Sequence, residues 1–206
     1  MNIFITGGSN GLGKCFVQAF SCKHQIYSPS RQILDLSAYP SVPLGSYDVV
    51  ILCAGSDLGG KKFFVDMEDR HWQNTIQVNL LSNMKLIKDF IAVRQRKWSK
   101  IIVIGSTATD HIWPGMLPYA VSKIGLEQFC HGLRQEINAN IGISVVRPGL
   151  VKTNFNMSRH MGHISKETAD KWYDSQPHLV PEDFVPVVEN ILSDRDHKLR
   201  DITVSL

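Results

Sequence analysis

Thr6-Gly7-Gly8-Ser9-Asn10-Gly11-Leu12-Gly13 stands between an apolar segment, Ile3 to Thr6, and a stretch in which Leu12, Phe16, Val17, Ala19 and Phe20 follow helical spacing. Glycine allows a sharp turn and lets a backbone approach a bound group closely. A strand, a glycine-rich turn and a helix in this order predict a cradle for a pyrophosphate, because the helix start offers unpaired N–H groups and the positive end of its dipole. The same turn also serves as a plain strand-to-helix connection. Its place at the head of a strand-helix-strand unit favours the phosphate reading.

Outward from this turn, strands and helices alternate. Gln25 to Ser28, Asp48 to Leu52, Ile101 to Ile104, Ile143 to Val146 and Ile202 to Val204 read as short strands, and several are continuous apolar runs suited to burial on both faces. Asp66 to Arg96 is helical, with Trp72, Ile76, Leu80, Met84 and Ile87 in one apolar stripe. Pro118 to Ile137 and Pro181 to Leu192 read as further helices. Residues 153–180 are the least patterned stretch. The expected fold is a Rossmann-like, doubly wound parallel α/β sheet of about seven strands. It forms a single domain over residues 1–206, with a shortened crossover between the second strand and Asp35.

Composition is that of an ordinary globular chain: 206 residues, 43% hydrophobic and 20% charged, with a net charge of +3. So small a charge gives no reason to expect a nucleic-acid partner. The cluster Arg94, Arg96 and Lys97 closes a helix, where cations are favoured. No apolar run reaches the roughly 20 residues that span a bilayer. The chain opens directly into a strand, and its four cysteines, Cys15, Cys22, Cys53 and Cys130, lack CxxC spacing, with Cys53 and Cys130 in core segments, so free thiols and a cytoplasmic location are expected. His160 and His163 have no companion ligands at metal spacing, so no metal is expected. Asp57, Asp66, Glu68 and Asp69 read as a solvated loop and helix start.

Four residues carry candidate chemistry. Tyr119 and Lys123 are four apart on a helix and share a face. A free tyrosine has a pKa of about 10, too high for acid-base work at neutral pH, and a nearby ammonium favours the phenolate. Ser106 follows the strand Ile101 to Ile104, at the sheet end where open α/β folds bind ligands. Its hydroxyl there would bond a substrate oxygen. Asn79 sits inside a helical stretch, where Asn competes for backbone hydrogen bonds and distorts the turn.

Together these residues resemble the short-chain dehydrogenase/reductase family. The turn has that family's TGxxxGxG form. Cys53-Ala54-Gly55 stands where the family has NNAG, with Leu52 and Cys53 in place of the Asn pair. Asn79, Ser106, Tyr119 and Lys123 match its catalytic pattern in order and spacing, including the interval from Ser106 to Tyr119. Arg147-Pro148-Gly149-Leu150-Val151-Lys152-Thr153 resembles its PGxVxT segment. The match runs from Met1 to about Phe155.

The resemblance implies an NADP(H)-dependent oxidoreductase acting on a small carbonyl or alcohol. Tyr119 would be the acid/base, Ser106 would orient the oxygen, and Lys123 would lower the Tyr119 pKa and hold the nicotinamide ribose. Asn79 would hold a relay water. Thr6, Gly7, Ser9, Asn10, Gly11, Leu12, Gly13, Cys53, Ala54, Gly55, Pro148, Gly149, Val151 and Thr153 would contact the cofactor. Ser30 and Arg31 look like the family's NADP-type pair, and no acid at that corner favours NAD. Asp35 and Leu36 correspond to its adenine contact.

Residues 153–180 fall where the family keeps a substrate lid, with Met157, His160, Met161, Trp172 and Tyr173 as pocket candidates. His111, Ile112, Trp113 and Met116 are better placed for substrate contact. The helices Asp66 to Arg96 and Pro118 to Ile137 resemble a homodimer interface, while the tail lacks the Asp-Gly-Gly ending that goes with tetramers. The competing readings are a sugar-nucleotide epimerase or dehydratase, disfavoured by the short C-terminal part, and a non-catalytic NADP-binding redox sensor.

Overall fold

The computed structural model describes residues 1–94, 97–160 and 163–206. Six strands form one parallel sheet: β1 (Asn2–Thr6), β2 (Gln25–Tyr27), β3 (Val49–Leu52), β4 (Ser99–Ile104), β5 (Ile141–Pro148) and β6 (Asp201–Val204). Their spatial order is β2-β1-β3-β4-β5-β6. Between β2 and β3 the described chain forms only a short 3₁₀ turn, Leu36–Ala38, so the expected shortening removes one strand and its helix. Arg96 and Met161 lie outside the described residues.

Alternating side chains divide the core into two layers, as both faces of a parallel sheet must be covered. Phe4, Val50, Leu52, Ile101, Val103, Ile143 and Val145 face Leu86, Ile87 and Phe90 of α3 (Ser82–Arg94) and Leu126 and Cys130 of α4 (Leu117–Glu136). Ile3, Ile5, Val49, Ile51, Ile102 and Val146 face Phe16 and Phe20 of α1 (Gly11–Phe20), and Val188, Ile191 and Leu192 of α7 (Val185–Ser193). No helix of the described residues is long and apolar enough to cross a membrane.

Three expectations change in detail. The helix over 66–96 is α2 (Asp69–Ile76), a π-helical turn (Gln77–Leu81) and α3. Arg94 does not join a surface cationic cluster: it is buried, pairs with Asp48 at 2.7 Å and donates to Ser99 Oγ at 3.1 Å. The stretch 153–180, the least patterned in sequence, contains two helices among its described residues, α5 (Phe155–Arg159) and α6 (Lys166–Asp174).

The strand order reverses at β1, with β2 on one side and β3 on the other. A crevice forms beyond the carboxyl ends of the strands at such a switch point. Register aligns those ends: Thr6 pairs with Leu52, Leu52 with Val103 and Val103 with Val145. The segments that follow β1, β3, β4 and β5 therefore meet at one edge.

Candidate active site

The glycine turn is packed against the loop after β3. Gly7 has φ +74°, and a Cβ there would lie 2.8 Å from the Ala54 backbone. The Thr6 hydroxyl accepts hydrogen bonds from the amides of Cys53 and Ala54, both at 3.1 Å. Gly13 lies against the Gly7 carbonyl, where a Cβ would come within 2.4 Å. Asn10, which precedes α1, places no side-chain oxygen on the first-turn amides. These amides and the glycine backbone open on a cleft of about 980 Å³ that runs from Arg31 and Asp35 to Ser106 and Tyr119. Its length and its uncapped helix start fit a dinucleotide.

Among the sequence-predicted cofactor residues, Thr6, Gly7, Ser9, Asn10, Gly11, Leu12, Arg31, Asp35, Leu36, Cys53, Ala54, Gly55, Pro148, Gly149, Val151 and Thr153 line the cleft. Gly13 and Ser30 stand behind it, Gly13 in helix packing and Ser30 with its carbonyl accepting from the Ile33 and Leu34 amides. Arg31 is exposed at the rim, 3.6 Å from Asp35. Asp35 also accepts from the amide and hydroxyl of Ser37, and those bonds hold its pKa below the ordinary carboxylate value.

At the other end of the cleft Ser106, Tyr119 and Lys123 come together. Ser106 caps the 3₁₀ turn Thr107–Thr109 by accepting from the Ala108 amide, 3.1 Å. Tyr119 and Lys123 lie on the buried face of α4, and Lys123 Nζ is 5.8 Å from the Tyr119 ring centre. Lys123 donates to the Ile104 carbonyl at 2.7 Å. Burial lowers its pKa to about 8.

Burial also pushes the Tyr119 phenol up to about 12, against the pull of the Ser106 hydroxyl and the Arg159 guanidinium. The expected lowering of the Tyr119 pKa by Lys123 is therefore overridden in the ligand-free protein. Spacing brings the two groups together, but desolvation of the phenolate sets the direction of the shift.

Asn79 lies within the π-helical turn and is fully buried. It donates to the Ser56 carbonyl at 2.7 Å and to Ser122 Oγ at 2.9 Å, and accepts from the Ser56 amide at 2.7 Å. The loop after β3 is thereby tied to α4. The Asn79 carbonyl also accepts from the Asn83 side-chain amide at 2.8 Å, within the same turn.

Of the proposed substrate contacts, Trp113, Met116, Trp172 and Tyr173 line the cleft, whereas His111, Ile112, Met157 and His160 do not. Two features escaped the sequence reading. Asp57 is not solvated: it is buried and pairs with Arg159 of α5 at 2.5 Å. Behind Ser106, Arg147 bonds Asp110 and Thr109 and lies 3.4 Å from Glu127, whose carboxylate is 3.5 Å from the Ser106 amide. Burial raises the Glu127 pKa, opposed by Arg147. Each pair joins residues far apart in sequence, and no local spacing rule pairs them.

A family model described as short chain dehydrogenase matches residues 26–163. The chain belongs to the short-chain dehydrogenase family. This makes it an oxidoreductase by family. The chain is 29% identical over 230 residues to the NADP-dependent 3-hydroxy acid dehydrogenase of Schizosaccharomyces pombe, covering 95% of this chain and 88% of that one. It is 34% identical over 112 residues to the 3-oxoacyl-[acyl-carrier-protein] reductase FabG of Buchnera aphidicola from Acyrthosiphon pisum, covering 53% of this chain and 45% of that enzyme. The match therefore spans less than half of that reductase.

In fold, the chain superposes on a small-chain dehydrogenase in complex with NADPH with a TM-score of 0.86 at 18% identity, covering 100% of this chain and 96% of the other. It also superposes on a serine dehydrogenase complexed with NADP+, with a TM-score of 0.82 at 21% identity, covering 99% and 94%.

The Lys123 value carries a sign. A lysine whose folded pKa lies at about 8, below its ordinary 10.5, favours the unfolded chain at neutral pH, and the penalty fades as pH rises from 8 to 10.5. Wild-type stability toward urea should gain about 2–3 kcal/mol from this group between pH 7 and pH 10. Lys123→Met should be the more stable protein at pH 7 and lack that rise. Parallel pH profiles for the two proteins would contradict the assignment.

Proposed function

We propose that this short-chain dehydrogenase is an NADP(H)-dependent reductase of small carbonyl compounds, working reversibly on the matching alcohols, with Tyr119 as acid/base. The observation that carries the reading is the convergence of Ser106, Tyr119 and buried Lys123 at one end of a cleft whose other end holds the glycine turn. NADPH, when bound, supplies the hydride to the carbonyl carbon and leaves as NADP+. Thr6 to Leu12, the loop Cys53 to Gly55 and the segment Pro148 to Thr153 would hold it.

The Ser106 hydroxyl donates a hydrogen bond to the carbonyl oxygen and polarises it. Tyr119 gives its proton to that oxygen as the alcohol forms, and a phenol kept neutral by burial is ready to donate. Lys123 stabilises the phenolate left behind, and its Ile104 bond keeps the ammonium at the site. Asn79 positions the loop above Lys123. NADP over NAD is supported by Arg31 at the rim and by NADP in the name of the fission yeast relative. A homodimer is supported by Leu81, Leu117 and Val121, apolar side chains left exposed beside and on α4.

Two outcomes test this. Tyr119→Phe should lower NADPH-dependent carbonyl reduction by roughly 10²–10⁴-fold. Its NADPH affinity, read by cofactor fluorescence, should stay near wild type; retained turnover would refute the acid/base role. Arg31→Ala should weaken NADPH binding by roughly 10–100-fold and leave NADH binding little changed. Equal loss for both cofactors would place the 2′-phosphate elsewhere.

A further inference from the structure

Among the described residues, the substrate half of the cleft is lined by the cations Lys61, Lys123 and Arg159 and by a single carboxylate, Asp57. Asp57 is committed to Nε of Arg159, with the two side chains only 4% and 9% exposed. Arg159 makes no other side-chain hydrogen bond among the described residues. Its two terminal nitrogens, a planar donor pair shaped for a carboxylate, are not orphaned inside the protein, and the residue lines the cleft. The guanidinium carbon lies 5.9 Å from the Tyr119 ring centre and 5.5 Å from that of Phe155.

Lys61 completes the cluster from another wall. Its ammonium sits 5.0 Å from the centre of the Trp172 ring. Its backbone has φ 62°, an uncommon conformation for a side-chain-bearing residue, and is packed against Gly115, where a Cβ would lie 2.3 Å from the Lys61 carbonyl. Burial, and then the charge of Arg159, lowers the Lys61 pKa, so the two cations feel each other and Asp57 does not cancel both. The three charges sum to one positive, beside the position given to the reacting oxygen.

We propose that Arg159 and Lys61 form a carboxylate-binding site, so that the substrates are small oxo acids and the matching hydroxy acids. The substrate carboxylate lies on Arg159 and Lys61 while its carbonyl oxygen lies on Ser106 and Tyr119. Asp57 is a positioning residue: it fixes Nε and turns the free donor pair toward the cleft. The closeness of Arg159 to Tyr119 keeps the two ends of the substrate within a few carbons of each other. This inference rests on the reductase reading and adds the substrate class to it.

The test compares 2-oxobutanoate and 3-oxobutanoate with their methyl esters, as kcat/KM with NADPH. Wild type should favour at least one acid over its ester by roughly 10–100-fold, the worth of a charge-assisted hydrogen bond. The double variant Asp57→Asn/Arg159→Gln, which leaves no buried charge unpaired, should bring that ratio close to one.

A second readout needs no turnover. Malonate, in the presence of NADP+, should raise the melting temperature of wild type and not of the double variant, and inorganic phosphate should do less. Esters reduced as well as acids, an acid preference kept by the double variant, or protection by phosphate but not malonate would each overturn the site. Malonate protection confined to wild type, with no carbonyl compound reduced, would uphold the anion site and sink the reductase reading.

Discussion

Burial of the Lys123 ammonium against the Ile104 carbonyl joins α4 to the end of β4, and the geometry of the site follows from that contact. A cation in a dry setting must find an acceptor, and the last carbonyl of a central strand supplies one. This anchors the face of α4 that carries Tyr119 over the carboxyl edge of the sheet, beside Ser106. The Thr6 hydroxyl binds the Cys53 and Ala54 amides, and Asn79 binds Ser56, so both ends of the loop after β3 are fixed to the same edge. The cleft is a consequence of these ties between strand ends.

The same dryness shapes the electrostatics. It lowers Lys123 to about 8 and raises Tyr119 to about 12, so in the ligand-free protein the phenol is held neutral. In the proposed reaction that state suits proton donation. The reverse direction needs more positive charge near the phenol than Arg159 already supplies, and a bound oxidised cofactor would be its source. The pair Asp57–Arg159 thus has two effects, fastening α5 over the cleft and setting the field around Tyr119.

Much of this was legible in the sequence where local pattern and structure coincide. Continuous apolar runs such as Val49 to Leu52 gave buried parallel strands, and the three-residue interval between Arg31 and Asp35 left no room for a strand and helix. Tyr119 and Lys123 share a face because a helix brings residues four apart together. What stayed hidden depended on tertiary burial. Asp57 and Arg159 lie 102 positions apart, and no rule of spacing pairs them. Asn79 was readable as a poor α-helical residue, but not as the link between a π-helical turn and Ser56. The direction of the Tyr119 shift was misread because spacing reports proximity and says nothing of desolvation.

The most direct test of the account follows the Tyr119 phenol itself. Protein labelled with ¹³C at the tyrosine ring carbon bearing the hydroxyl, with Tyr119→Phe to assign the resonance, would be titrated alone and saturated with NADP+. The account predicts a titration midpoint near pH 12 in the free protein. With the cationic oxidised cofactor bound, the midpoint should fall by at least about one pH unit. A midpoint that stays where it was with NADP+ bound would contradict the claim that Tyr119 exchanges its proton beside the cofactor.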